Sequence, residues 1–294
     1  MRFINPKIDF AFKKIFGNEQ HKNILISFLN AILYDNQPHI ETLEIIDPYN
    51  APKLSGLKDT FLDVRAKLSD GSQVIIEMQV LAVAGFGKRV LYNISKAYSG
   101  QLKRADDYST LNPVIGLTIT DFDMFERDTA PDVVSRYGFY DQEHNVAYPN
   151  DDITLVFVEL TKFSKTLDEL STLTDKWLYF LRYASQLEDV PTELSDDAVL
   201  VEAFDVANRI NLSQAELDAL ENKEFFVGSM SRTLKMATQQ AEKRGMERGR
   251  EDGLQEGRQE GIKTVARQLL DVLDDDTISQ KTGLTVDEVR QLRN

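Results

Sequence analysis

The chain has 294 residues, 42% of them hydrophobic, which is enough for one sizeable core or for a core with a smaller appendage. With no cysteine and three scattered histidines (His21, His39, His144), disulfides, thiolate zinc sites and histidine-rich metal sites are excluded, so any metal has to sit on carboxylate oxygens, which favours Mg2+, Mn2+ or Ca2+. No apolar run reaches the roughly 18 residues of a membrane span, the start MRFINPKIDF lacks an export signal, and the net charge of −14 disfavours a polyanionic partner, so a cytoplasmic protein without membrane contact is expected.

Asn5-Pro6 reads as an N-cap with Pro at the first helical position and Gly17 as the stop, predicting a helix over residues 6–16 and a second over 19–33. After a loop containing Pro38, Pro48 and Pro52, residues 61–80 read as two strands around Ser69-Asp70-Gly71. Helical spacing of Val90, Leu91, Ile94, Ala97, Tyr98, Leu102 and Ala105 predicts a helix over 88–107, and Pro113 opens a strand over 114–120. Strands are expected at 133–140 and 153–161, and a helix at 167–183. The alternation predicts an α/β fold, a mixed sheet covered by helices. Beyond residue 190 the strand signals stop, predicting an all-helical C-terminal region.

Charge is unevenly divided along the chain. Residues 1–120 carry 14 Lys and Arg against 12 Asp and Glu, whereas the rest of the chain holds 20 against 36, a net of −16. A nucleic-acid site is therefore sought in the first 120 residues, where Lys13, Lys14, Lys88, Arg89, Lys96, Lys103 and Arg104 could line a cleft or be solvated helix faces.

Two loop lengths compete for the hairpin. A two-residue Asp70-Gly71 turn mixes charged and apolar residues on both faces. A three-residue Ser69-Asp70-Gly71 loop, with Gly71 left-handed, pairs Leu68 with Ser72 and sets Leu62, Val64 and Ala66 across from Met78, Ile76 and Val74. That register makes one face apolar and puts Asp63 across from Glu77 on the other, with Gln79 two residues on. Such an acid pair suits one shared cation, and is equally the ordinary look of a solvated strand face.

Asp63, Glu77 and Gln79 match the D…(D/E)-x-K signature with Gln in the Lys position. The opening KIDFAFKKIFG, the hairpin LDVRAKLSDGSQVIIEMQV, the helix RVLYNISKAYSGQL, the segment VELTKF and a glycine-spaced tail together resemble the Rpn family of recombination-promoting nucleases and transposases, in the PD-(D/E)XK superfamily. The resemblance implies a restriction-endonuclease-like core and metal-dependent DNA endonuclease activity that promotes recombination or transposition. It implies Mg2+ above all, held by Asp63, Glu77 and the carbonyl of Met78. Gln79 can orient a water or a phosphate but cannot supply positive charge. Asp9 is a fourth candidate for catalysis, its alternative being an i,i+4 ion pair with Lys13. Tyr98 and Gln101 are candidate phosphate contacts on the next helix. RNA cleavage and a catalytically silent interaction scaffold are the alternatives.

The expected organisation is a core over 1–185, an acidic helical region over 186–242, a charged repeat over 243–262 and a helical cap over 263–294. In the repeat Gly245, Gly249, Gly253, Gly257 and Gly261 recur every four residues, either as a stripe for close approach of chain copies in a homo-oligomer or as a flexible tether. In the cap, Thr285 and Glu288 form a capping box after a turn at Gly283; Asp287 and Glu288 against Arg290 and Arg293 argue against a groove-reading helix there.

Overall fold

The computed structural model describes residues 2–46, 49–50, 60–61 and 63–293. The prolines at 48 and 52 and the expected pairing of Leu62 lie outside the described residues. Two compact units are present, residues 1–229 and 230–294.

The first unit is built on a mixed six-stranded sheet. Its strands are β1 (Leu43–Ile46), β4 (Val64–Leu68), β5 (Gln73–Gln79), β6 (Val114–Thr120), β7 (Val134–Tyr137) and β8 (Ile153–Glu159), in the spatial order β1, β4, β5, β6, β8, β7; the short pair β2 (Tyr49–Asn50) and β3 (Thr60–Phe61) is separate. The helices are α1 (Asp9–Phe16), α2 (Lys22–Leu33), α3 (Phe86–Ser99), α4 (Leu173–Tyr183) and α5 (Ala198–Val206), and α6 (Gln214–Leu269) begins here. β1, β4 and β5 form an antiparallel meander, whereas β5, β6 and β8 run parallel. Parallel neighbours need a crossover, and α3 provides the one between β5 and β6.

The three-residue hairpin loop forms. Val64 pairs with Ile76 and Ala66 with Val74, the N–H of Leu68 donates to the carbonyl of Ser72 at 2.8 Å, and Gly71 adopts a φ of +91° that other residues disfavour. Val64, Ala66, Val74, Ile76 and Met78 enter the main core with Phe12, Phe16, Phe28, Trp177 and Phe204 from the helices on that face. On the opposite face Ile75 packs with Val90, Ile94 and Ala97 of α3. Gly116 permits this close seating, since a Cβ there would lie 2.0 Å from Ile94 Cδ1.

Several boundaries differ from the sequence reading. α1 starts at Asp9, because Asn5 closes a turn instead, its side chain accepting from the N–H of Lys7 and its carbonyl from that of Ile8. α3 runs from Phe86 and stops at Gly100, so Leu102 and Ala105 are not helical; Ala105 has a φ of +80°. α4 starts at Leu173, where Thr172 and Asp175 form a capping box. β1 was missed. The interior also continues past residue 185, because Leu194, Leu200, Phe204 and Leu220 are fully buried in the same core.

In the second unit α6 continues through the glycine repeat to Leu269, followed by α7 (Asp275–Thr282) and α8 (Val286–Gln291). The expected Thr285–Glu288 capping box caps α8, and Gly283 takes a left-handed φ of +79°. Ala266, Ile278 and Val289 form a small core of their own. No helix among the described residues is long and apolar enough to cross a membrane.

Candidate active site

β5, β6 and β8 end in register at Gln79, Thr120 and Glu159. The carboxyl ends of parallel strands are where α/β sheets collect ligands. β4 runs antiparallel to β5, so Asp63, at the bend before β4, lies at this same end.

Asp63 does not continue the ladder. Its Oδ2 accepts the N–H of Met78 at 2.6 Å, so the side chain takes over a backbone donor of β5. The carboxyl also meets α1: it hydrogen-bonds Asp9, and Lys13 Nζ lies 3.6 Å from its Oδ1 and 2.7 Å from Asp9 Oδ1. Burial, then the bond with Asp9, pushes the Asp63 carboxyl up to about 7. Asp9 is also desolvated, yet the hydrogen bonds from Asp63 and Lys13 hold it below the ordinary carboxylate range. The pair thus shares a proton near neutrality, with Asp9 the charged member. Asp9 thus makes the expected i,i+4 pair with Lys13 and also touches Asp63.

Glu77 and Gln79 converge on another cation. Arg89 Nη2, from α3, donates to Glu77 Oε1 at 2.5 Å and to Gln79 Oε1 at 2.7 Å, while Gln79 Nε2 donates to the carbonyl of Leu81 at 2.8 Å. The guanidinium also lies 5.0 Å from the Phe86 ring centroid. Glu77 is 13% exposed and Arg89 43%, so the carboxylate is shielded and the guanidinium reaches solvent. The Met78 side chain is buried in the core, leaving its backbone groups at the strand end.

Open grooves occur on both sides. One, of about 470 Å³, is lined by Asp9, Lys13, Lys14, Glu216 and Lys223. The other, also about 470 Å³, is lined by Gly85, Phe86, Lys88, Arg89 and Tyr92.

The remaining predicted residues divide. Lys88 lines the second groove. Lys14 is tied to Glu216 at 2.6 Å, which with Ser213 anchors the start of α6 and lowers the Glu216 carboxyl to about 2. Tyr98 and Gln101 have partners within the fold: Tyr98 bonds Asp152, and Gln101, beyond the end of α3, bonds the backbone N–H and carbonyl of Asn112. The sequence reading missed how the site is braced. Glu159 and Lys162 of VELTKF form a fully buried pair at 2.5 Å; Glu159 also accepts the N–H groups of Met124 and Phe125, fixing the loop after β6. Lys7 holds Asp121 at 2.8 Å, and the N–H of Asp121 donates to the carbonyl of Gln79.

Among the described residues no three acidic or histidine side chains form a group that could by themselves hold a metal ion. The donors at the strand end are nonetheless all hard oxygens, which suit Mg2+ or Mn2+.

Helices on both faces of a mixed sheet, with an antiparallel hairpin carrying acids at the strand end and a helical crossover to the next parallel strand, define a nuclease-like α/β core. Residues 6–237 match the family described as PD-(D/E)XK nuclease family transposase, and the chain belongs to that family. No match was found among curated proteins or among solved structures.

Proposed function

We propose that the protein is a metal-dependent DNA endonuclease whose cuts promote recombination or transposition. The observation that carries this reading is the Asp9–Asp63 pair, whose Asp63 accepts the N–H of Met78, the residue that follows Glu77. Two carboxylates brought within hydrogen-bonding reach, one of them pushed to about 7, form an arrangement that a divalent cation relieves. Asp63, Glu77 and the Met78 carbonyl would hold the ion, with Asp9 supporting Asp63. The chemistry supplied at such a site is a water acidified toward neutrality and a polarised phosphate oxygen.

Hydrolysis adds the water oxygen to phosphorus, breaks one P–O ester bond and leaves a proton on the departing oxygen. In this chain Gln79, held by Leu81 and Arg89, orients groups beside Glu77 without taking a proton. Lys13 balances the charge of the acid pair. The basic side chains of the two grooves offer phosphate contacts, while the glycine stripe of α6 serves self-association of the chain.

Supercoiled plasmid, single-stranded DNA and RNA, each incubated with Mg2+ or Mn2+, test the reading. The parent should nick plasmid, and Glu77→Ala and Asp63→Asn should abolish nicking while remaining folded. Cutting confined to RNA would replace the substrate, and no cutting together with no metal binding would leave an interaction scaffold.

A further inference from the structure

A PD-(D/E)XK motif has a lysine where this chain has Gln79, and an amide carries no charge that could answer the charge developing on a phosphate in flight. The structure nonetheless puts a cation at that place. Arg89 Nη2 lies 2.7 Å from Gln79 Oε1 and 2.5 Å from Glu77 Oε1, touching both side chains of the E-x-Q segment from a different element. We infer that Arg89 is a catalytic residue that supplies from α3 the positive charge Gln79 lacks, contacting the scissile phosphate; this rests on the nuclease reading above.

Three observations place Arg89 in that role. It stands at the boundary between the shielded carboxylate and open solvent, with Glu77 13% and Arg89 43% exposed. It lines the groove at the start of α3 together with Lys88 and Tyr92, so a phosphodiester lying there meets the guanidinium directly. Its position is fixed on one side by Phe86 and on the other by Glu77 and Gln79, and a planar guanidinium suits bidentate contact with phosphate oxygens. Lys13, which also lies near the acids, is committed to Asp9 and Asp63. Gln79 then becomes intelligible: an amide oxygen accepts from Arg89, which a lysine at the same place would repel.

The test is charge relocation. Arg89→Gln, Gln79→Lys with Arg89→Gln, and the parent are compared for single-turnover plasmid cleavage, for Mn2+ affinity by calorimetry and for thermal unfolding. Arg89→Gln is expected to stay folded, to bind Mn2+ at least as tightly because a positive charge beside the acids is gone, and to cut on the order of a hundredfold more slowly. Adding Gln79→Lys is expected to restore at least a tenfold part of that loss (~1.4 kcal/mol). Parental cleavage by Arg89→Gln overturns the assignment. So does slow cleavage with weakened Mn2+ binding and no rescue, which would make Arg89 only a brace for Glu77. A parent that cuts no nucleic acid refutes the nuclease reading itself, and this inference with it, whereas an active parent with an equally active Arg89→Gln refutes this inference alone.

Discussion

Asp63→Asn separates what the acid pair does to the fold from what it does for catalysis. An asparagine keeps an oxygen for the Met78 N–H and offers an amide donor where protonated Asp63 donates to Asp9, so it copies the protonated carboxyl. An ordinary aspartate titrates near ~3.9, whereas Asp63 in the folded chain titrates at about 7. Folding without metal therefore takes up a proton between those values. The stability this brings is complete below the lower value, falls as pH rises and is lost above the upper one. For Asp63 alone that span corresponds to roughly 4 kcal/mol. Asp9 works in the opposite sense: its depressed carboxyl adds stability above the ordinary range that is lost as pH falls through its folded value. A net gain of roughly 1–3 kcal/mol for Asp63→Asn is expected at pH 8, and less at pH 5. Urea unfolding in EDTA at both pH values measures it, and Mg2+ added at pH 8 should then stabilise the parent only. A variant less stable than the parent at pH 8 without metal, or a difference that does not grow from pH 5 to pH 8, would refute the reasoning.

Three further outcomes are expected. Lys162→Met leaves Glu159 charged in a fully buried place and should cost about 3–5 kcal/mol in denaturant unfolding, since removing one partner of a buried pair exposes the other's desolvation; a loss below ~1 kcal/mol would show that the two N–H groups of Met124 and Phe125 suffice. A Cβ at Gly249, Gly253 or Gly257 meets nothing within 4 Å beyond the helix's own turn, and Leu at all three favours the helix by up to about 1 kcal/mol per site, so a changed mass by light scattering would report lost self-association and an unchanged mass would favour a tether. A chain ending at Ser229 keeps the main core, and residues 230–294 carry 12 Lys and Arg against 12 Asp and Glu, so as a monomer it should bind non-specific duplex with unchanged affinity and salt slope; a clear loss of binding would mean that the C-terminal helices touch nucleic acid.

Much of the sheet was legible in the sequence because its strands are bounded by strong signals. Gly71 needs a positive φ, and only a three-residue loop gives the flanking residues a consistent apolar face, so the hairpin register follows from two local facts. Helix ends were harder. Asn5-Pro6 offers a good N-cap pattern, but the asparagine is used in a turn, and the apolar period after Ser99 persists in the sequence without a helix beneath it. The place of α5 depended on Leu200 and Phe204 reaching a core formed some 170 residues earlier, which no local period encodes. The charge asymmetry does not follow the unit boundary: the excess acid falls within residues 121–229, inside the compact core unit, and the C-terminal unit is electrically neutral. Cutting near residue 185 would therefore remove acidic surface and core together.

For the candidate site, which residues gather at the strand end was legible and how they pair was not. Alternation put Asp63, Glu77 and Gln79 in one group, and register alone made Asp63 and Glu77 partners. The side chains chose other partners: Asp63 turned to the Met78 N–H and to Asp9 on α1, and Glu77 to Arg89 on α3. Each choice depends on which helix covers which face, a property of the chain's path over the sheet. The same cause hid Arg89 among seven basic residues that looked alike. Lys14 is held by Glu216 and Lys13 by two aspartates, whereas Arg89 stands against both Glu77 and Gln79 and reaches solvent. What distinguishes the three is the partner that the fold delivers to each, and that partner decides whether a positive charge is held within the protein or left partly open to solvent.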